Sequence, residues 1–119
     1  MVWRCRNEFA VSFAVFDSDL DLNRAKYEFF DAGGAVVAGP FEIDLVQAIR
    51  ERNLVRGQSF AVTQHFTEAG THPEVVAVRV TIFDGETNLF EMVAAGSTIK
   101  RADSLADERL ATTRVTTCK

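Results

Sequence analysis

The chain has 119 residues, of which 47% are hydrophobic and 25% charged, and its formal net charge at pH 7 is −4. These values are typical of one soluble globular domain, in which roughly two thirds of the unfolded chain's surface is buried on folding. The acidic balance argues against nucleic-acid binding, which needs clustered lysine and arginine, and ten phenylalanines argue against disorder.

Alternation of large apolar residues with small or polar ones predicts strands in the first third of the chain. Residues 8–16 read EFAVSFAVF and residues 24–31 read RAKYEFFD, so each run places large apolar side chains on one face. After a glycine turn, two further segments, 35–39 and 41–45, are predicted as strands. The Gly-Pro step between them is expected to break the run, because proline has no N–H for a central sheet ladder.

The rest of the chain contains one predicted helix and three more predicted strands. Residues 44–53 (DLVQAIRERN) form the helix, with Asp44 as its N-terminal cap and apolar residues at helical spacing. The strands follow at 58–66, 74–83 and 88–99, and an Asp-Gly turn joins the last two.

Six to seven short strands with one short helix predict an all-β fold, an antiparallel β-sandwich. A closed barrel is the alternative, because period-two patterns do not separate the two. We expect residues 1–119 to form a single domain whose core lies within residues 8–99. Residues 100–119 are more polar, and either a tail or a terminal strand fits them.

Two cysteines, Cys5 and Cys118, lie near opposite ends of the sequence. Domain termini are often close in space, so a disulfide between them is geometrically reasonable, and it would contribute on the order of 4 kcal/mol in the chain-entropy model. The alternative is two unrelated thiols. Neither cysteine has another Cys or His at zinc-ligand spacing, so no zinc site is predicted.

Neither a membrane span nor a leader is expected from the sequence. No window reaches the run of about 18 apolar residues that a transmembrane helix needs, so we expect no membrane insertion. Charged residues occupy the positions where a signal peptide has its apolar stretch. We therefore expect either a cytosolic protein or a piece of a longer secreted one.

One stretch of the sequence carries a family resemblance. Residues 17–23 read DSDLDLN, and YEFFDAG follows at 27–33. With the strands around it, this pattern resembles the immunoglobulin-like and fibronectin-III-like modules of bacterial secreted and surface proteins. The chain departs from antibody-type domains, which carry a cysteine pair on central strands. The resemblance implies an immunoglobulin-like sandwich that serves as a spacer, adhesion or accessory binding module of a larger extracellular protein.

The acidic loop is the strongest sign of a binding site. Asp17, Asp19 and Asp21 alternate with other residues, and this carboxylate spacing is typical of calcium loops. Leu22 stands where a helical calcium hand has glycine, and both flanks are predicted strands. We therefore expect a calcium site between strands, with Asn23 as a further oxygen ligand. The alternative is a solvated loop whose aspartates cap turns.

No catalytic residues are predicted. His65 is expected to face the surface, and no serine or cysteine has an evident base partner. Most phenylalanines alternate with small residues and are expected in the core, but Phe16, Phe30 and Phe90 fall out of phase. Exposure of these three would mark a contact with a neighbouring domain or subunit.

The sequence therefore predicts a non-catalytic structural or interaction module of an extracellular or cell-surface protein, with a cytoplasmic location as the alternative. No cofactor other than calcium is expected. The partner would be another protein, a neighbouring domain or a second copy, reached through loops or sheet edges. Two alternatives stay open: a calcium-dependent binding domain, for carbohydrate for example, and a small β-fold enzyme with a pocket containing His65.

Overall fold

The computed structural model describes residues 2–5, 7–16, 23–51 and 59–101. The strands are β1 (Val2–Arg4), β2 (Phe9–Phe16), β3 (Arg24–Phe30), β4 (Val36–Asp44), β5 (Ser59–Phe66), β6 (Ala77–Asp84), β7 (Thr87–Ala95) and β8 (Ile99–Arg101). The helices are α1 (Leu45–Glu51) and the short α2 (Thr67–Gly70), and a 3₁₀ turn, Gly96–Thr98, precedes β8. The prediction of an all-β protein is confirmed.

The strands form two four-stranded sheets. Sheet A has the order β5-β2-β1-β8, and sheet B has the order β4-β3-β6-β7. The strand pairs of the described residues are antiparallel apart from β1 and β8, which run parallel. The two sheets share one hydrophobic core. The fold is therefore sandwich-like, as the alternating pattern predicts.

Aromatic side chains from both sheets form the centre of this core. Phe9 and Phe66 of sheet A meet Tyr27 and Phe29 of sheet B, with ring centroids 4.7 Å apart for Tyr27 and Phe66 and 5.3 Å apart for Phe9 and Phe29. Phe9, Tyr27 and Phe29 are fully buried. Tilted ring pairs of this kind stabilise by roughly 0.5–1.5 kcal/mol beyond the area they bury. The predicted apolar faces of β2 and β3 are thus confirmed.

The predicted helix begins where the sequence indicates. The Asp44 carboxylate caps α1, because its Oδ1 accepts hydrogen bonds from the backbone N–H groups of Val46 at 2.9 Å and Gln47 at 3.3 Å. Leu45 is fully buried in the core below. The helix ends at Glu51, and residues 52–58 lie outside the described part of the chain.

The predicted break between residues 35–39 and 41–45 is wrong, since β4 runs through it as one strand. Because β4 is an edge strand, a proline can occupy it without removing a ladder hydrogen bond on both sides. Gly39 has φ +93°, and a Cβ there would lie 2.7 Å from the Tyr27 carbonyl oxygen. The irregularity shows instead as shifts of register opposite Tyr27, Phe29 and Phe30.

Two short strands were not expected as separate elements. β1 and β8 have three residues each, too few to show a period, and the 3₁₀ turn separates β8 from the predicted 88–99 strand. Val2 and Ile99 are cross-strand partners, and both are buried in the core. β8 includes residues 100 and 101 of the segment predicted as a tail or a terminal strand, and residues 102–119 lie outside the described part.

Candidate functional site

The outer face of sheet B carries a band of paired charges. Glu28 is buried, and its Oε1 accepts hydrogen bonds from Arg79 Nε at 3.1 Å and from Arg79 Nη2 at 2.8 Å. The Lys26 ammonium lies 3.9 Å from the same oxygen. Further along the face, Arg24 Nη1 donates to Glu42 Oε1 at 2.7 Å. These charges compensate one another, so the band holds the sheet together rather than attracting a charged ligand.

One end of the same face is apolar. Four cross-strand neighbours on β4, β3, β6 and β7, here called the outer apolar row, are Val36, Phe30, Ala77 and Ala95. Val36 is 44% exposed, and Val93, two positions before Ala95 on the same face, is 59% exposed. The ring of Phe30 is half-buried, with the Arg79 guanidinium 5.0 Å from its centroid. Phe30 thus lies on the outer face, whereas the side chains of Phe16 and Phe90 are outside the described part.

Two of the four edge strands are poorly suited to pairing with another chain. β8 has only three residues. β4 carries Pro40, Glu42 and Asp44 and has an irregular register. Shortness, proline, charge and bulges are the devices by which natural sheets prevent edge-to-edge association.

β7, with the sequence TNLFEMVAA, has neither proline nor shortness, and it carries the single charge of Glu91. Its one irregularity, a register shift opposite Ile82 and Phe83, lies near its start, and its pairing from Phe90 to Ala95 is regular. Every second residue of an antiparallel edge strand directs its N–H and C=O away from the sheet. β5 also lacks proline, but the exposed apolar side chain of Val93 beside the edge distinguishes β7. The β7 edge and the outer apolar row meet at Ala95, and together they form the candidate interaction site.

Three of the four predicted calcium ligands, Asp17, Asp19 and Asp21, lie outside the described residues. Asn23 is described, and its backbone is fixed because its N–H donates to the Phe83 carbonyl and its own carbonyl accepts from Leu45 N–H, both at 2.9 Å. Its side-chain Oδ1 is buried and has no hydrogen-bond partner. Within the described ranges, no three His, Cys, Asp or Glu residues gather as metal ligands. The calcium site stays a prediction.

His65 lies on the outer face of sheet A, opposite the core. The sequence predicts that His65 faces outward, and this is the face it occupies, although only 15% of its side chain is accessible. The Nδ1 atom is 3.3 Å from Oε1 of the buried Glu8. Sequence reasoning missed this pair, because Glu8 and His65 are far apart in the chain and only the register of β2 with β5 brings them together.

Cys5 follows β1 and is buried beside Trp3 and Ala10 in a small second cluster. Its predicted disulfide partner, Cys118, lies outside the described residues. The bridge therefore stays a prediction.

A shallow groove of about 550 Å³ lies at the end of sheet B, lined by Asn23, Arg24, Glu42, Ile43, Asp44 and Val46. His65 lies on the other sheet, so this groove is not the histidine-containing pocket that the enzyme alternative predicts. Neither described helix is long and apolar enough to cross a membrane.

Comparison with protein family models, curated proteins and solved structures finds no match to this chain. The fold and the site define a class: an all-β, sandwich-like domain in which no described strand pairs with the outer edge of β7, beside an exposed apolar row. The argument for function therefore rests on this geometry.

Proposed function

We propose that the chain is a non-catalytic interaction module of an extracellular or cell-surface protein, and that a protein partner adds a strand to its β7 edge. In strand addition, main-chain hydrogen bonds provide affinity and the flanking side chains provide specificity. The proposal rests on one observation: β7 is a nine-residue edge strand without proline, and it presents Val93 with 59% of its surface exposed.

Val93 and Ala95, the residue of the outer apolar row that lies on β7, supply the flanking contact. A strand laid along β7 continues sheet B, so its outward side chains sit beside Val93 and Ala95. Fully burying a valine side chain contributes roughly 1.5–3 kcal/mol, so covering the exposed part of Val93 is a substantial share of the affinity. Arg79 is the cross-strand partner of Val93, and its ion pair with Glu28 holds that part of the sheet rigid.

The extracellular setting and the finer fold type belong to the same proposal. The predicted Cys5–Cys118 bridge supports an oxidising compartment, where disulfides persist. The two-sheet architecture and the DSDLDLN and YEFFDAG stretches support an immunoglobulin-like or fibronectin-III-like module. The engagement of the charges of sheet B with one another supports a structural rather than catalytic use of these residues.

Substituting Val93→Lys is expected to weaken edge pairing, because a lysine beside the edge must lose its hydration when another strand approaches. The chain itself is the probe, since a second copy offers strands of the same kind. Wild-type protein is expected to show a mass that rises with concentration in sedimentation velocity, and the variant is expected to remain a monomer.

Val36→Lys is the matched control, because Val36 is 44% exposed on the same face but belongs to the β4 edge, which proline and acidic residues protect. Its self-association is expected to equal that of the wild type. Equal loss in the two variants would show that the whole face, not the β7 edge, makes the contact. A wild type that is monomeric at every concentration would exclude pairing between copies.

A calcium-dependent binding domain is the second candidate, and one observation favours it. The Asn23 Oδ1 is a buried oxygen without a hydrogen-bond partner, and Asn23 directly follows the acidic loop. An unpartnered buried oxygen costs roughly 1–3 kcal/mol, and a hard cation that accepts oxygen ligands removes that cost.

Calcium is therefore expected to raise the thermal unfolding midpoint relative to excess chelator. Specific binding contributes about 2.7 kcal/mol at a hundredfold excess over the dissociation constant. The double substitution Asp19→Asn and Asp21→Asn is expected to abolish the rise, whereas Glu68→Gln, at an exposed position on α2 and at the opposite end of the sandwich from Asn23, should retain it. An unchanged wild-type midpoint at millimolar calcium would reduce the loop to a solvated turn.

A further inference from the structure

A threonine side chain closes the last position of the β7 edge. The hydroxyl oxygen of Thr98 accepts a hydrogen bond from the Ala95 N–H at 2.8 Å, and the hydroxyl donates one to the Ala95 carbonyl oxygen at 2.7 Å. Thr98 belongs to the 3₁₀ turn that follows β7, and Gly96 begins this turn with φ +56°. The main-chain groups of Ala95 are therefore already paired within the chain.

These hydrogen bonds also show which residues of β7 direct their main-chain groups away from the sheet. Ala95 directs its N–H and C=O outward, to Thr98, whereas the next residue, Gly96, donates its N–H toward the β6 side, to the Val76 carbonyl at 3.4 Å. This direction alternates along an antiparallel strand, and the pairing with β6 is regular over the second half of β7. Val93 and Glu91 therefore also direct their N–H and C=O groups outward, where no described strand pairs with them.

The section of the β7 edge that can pair regularly is short and has a boundary at each end. At its start, the register with β6 shifts just before Phe90, which interrupts the alternation. At its end, the Thr98 hydroxyl engages the main-chain groups of Ala95, and the chain leaves the sheet through the 3₁₀ turn. Between these boundaries, the outward main-chain groups belong to Glu91 and Val93.

The side chains of these two residues define what a partner strand must carry. Glu91 lies two positions before Val93, so both side chains are on the outer face of sheet B. Glu91 is exposed and has no ion-pair partner within the described part of the chain, whereas Glu28 and Glu42 each pair with an arginine. An added strand therefore meets one exposed apolar side chain and one uncompensated carboxylate.

We propose that Thr98 sets the limit of the binding edge, and that the partner is a short extended segment with an apolar residue beside Val93 and a lysine or arginine two positions away, beside Glu91. This inference rests on the proposed strand addition at β7. The apolar residue covers the exposed valine, and the cation compensates the carboxylate. The added strand contacts the Ala95 side chain, but its main-chain pairing ends at Val93, because the N–H and C=O of Ala95 are engaged. The hydroxyl thereby protects the edge against extended pairing and favours a short partner.

Two capped peptides serve as probes: acetyl-Thr-Thr-Val-Thr-Lys-Thr-Thr-amide, whose order suits antiparallel pairing, and the same peptide with glutamate in place of lysine. In NMR titrations of the isotope-labelled full chain, we expect the largest amide shift changes at Glu91 and Val93 and several-fold smaller changes at Ala95. The lysine peptide is expected to bind about two- to fivefold more tightly, which is the range of an exposed ion pair. Glu91→Gln is expected to remove this preference while the same amides respond.

Thr98→Val tests the limit of the edge, because it keeps the shape of the side chain and removes the hydroxyl. In this variant Ala95 is expected to join the residues with large shift changes, whereas Thr98→Ser, which retains a hydroxyl, should behave as the wild type does. Changes at Ala95 as large as those at Val93 in the wild type would overturn the limit, and this result needs no variant to fold. An unresponsive Ala95 in a folded Thr98→Val variant that binds the peptide would overturn it as well.

Association of the wild-type chain through Val93 is the reference that separates this inference from the strand addition on which it rests. Equal binding of the two peptides would overturn the partner chemistry and leave strand addition at β7 standing. Absence of peptide binding would do the same if wild-type association is still lost in Val93→Lys. Absence of both peptide binding and Val93-dependent association would overturn strand addition and this inference together.

Discussion

Replacing Phe29 with alanine is expected to lower the free energy of unfolding by about 3–5 kcal/mol, the cost of deleting a buried aromatic side chain and leaving a cavity. Phe29 is fully buried, and its ring contacts Phe9 and Phe66 of sheet A at centroid distances of 5.3 and 5.1 Å. The substitution therefore removes contacts between the two sheets as well as within one. Urea unfolding followed by circular dichroism measures the change.

Phe30→Ala is the matched control, because Phe30 is the next residue on the same strand and lies on the opposite face. Its ring is half-buried under the Arg79 guanidinium, a contact that contributes roughly 0.5–1 kcal/mol at a partly exposed site. We expect a loss of about 1 kcal/mol. Similar losses at the two positions would contradict the two-layer arrangement, because they would mean that both faces of β3 are buried to the same extent.

The contrast between these neighbours was visible in the sequence. Tyr27 and Phe29 alternate with Lys26 and Glu28, and a two-residue period defines an inner and an outer face whatever the partner strands are. Phe30 is an apolar residue at a position that the period assigns to the outer face, and the structure places it on that face. Where a strand is long enough to show its period, sequence alone predicts which side chains meet in the core.

The short strands show why other features could not be predicted. Three residues such as Val2–Arg4 contain no full period, and their pairing with Ile99–Arg101 joins opposite ends of the chain. That pairing is stabilised because Val2 and Ile99 are buried in the core, and a local sequence pattern does not reveal such a non-local contact. Because β1 was missed, the cross-strand contact of Trp3 with Ala10, and through Ala10 with His65, was missed with it.

The sequence predicts the kind of interaction site, a sheet edge, but not which strand of the fold provides it. The sequence indicates that sheet edges exist and that Phe30 faces outward, but strand order decides which edges are open. β7 follows β6 in a hairpin and is an edge strand because none of the described strands pairs with its other side. Strand order depends on non-local contacts, which a single sequence does not display.

The two sheets have different exteriors, and this difference bears on function. Sheet B exposes Val36 and Val93 around compensated charges, whereas sheet A buries Ala10 and partly shields Trp3 and His65. Among the described residues of the two sheets, the exposed large apolar side chains Val36 and Val93 lie on sheet B, so the exposed apolar surface favours sheet B as the side for the proposed partner.

Raising the pH above 10 is expected to destabilise the protein through Tyr27. Tyr27 is fully buried with its hydroxyl unpartnered, and burial raises the pKa of this phenol well above its ordinary value of about 10. Between the ordinary and the raised pKa, the unfolded chain loses the phenolic proton and the folded chain keeps it. The free energy of unfolding therefore falls with rising pH in this window, by about 1.4 kcal/mol per pH unit for one proton.

Tyr27 is the single tyrosine of the chain, so the ultraviolet absorbance of its phenolate follows the ionisation directly. We expect phenolate to appear only as circular dichroism is lost, and phenolate forming in a still folded chain would contradict the buried position. Tyr27→Phe removes the phenol hydroxyl alone, so the difference in alkaline stability between the two proteins isolates its ionisation. The variant is also expected to be about 1 kcal/mol more stable at neutral pH, because it removes a buried hydroxyl that has no hydrogen-bond partner. The core ring contacts with Phe13 and Phe66 remain, which makes the hydroxyl alone responsible for the change.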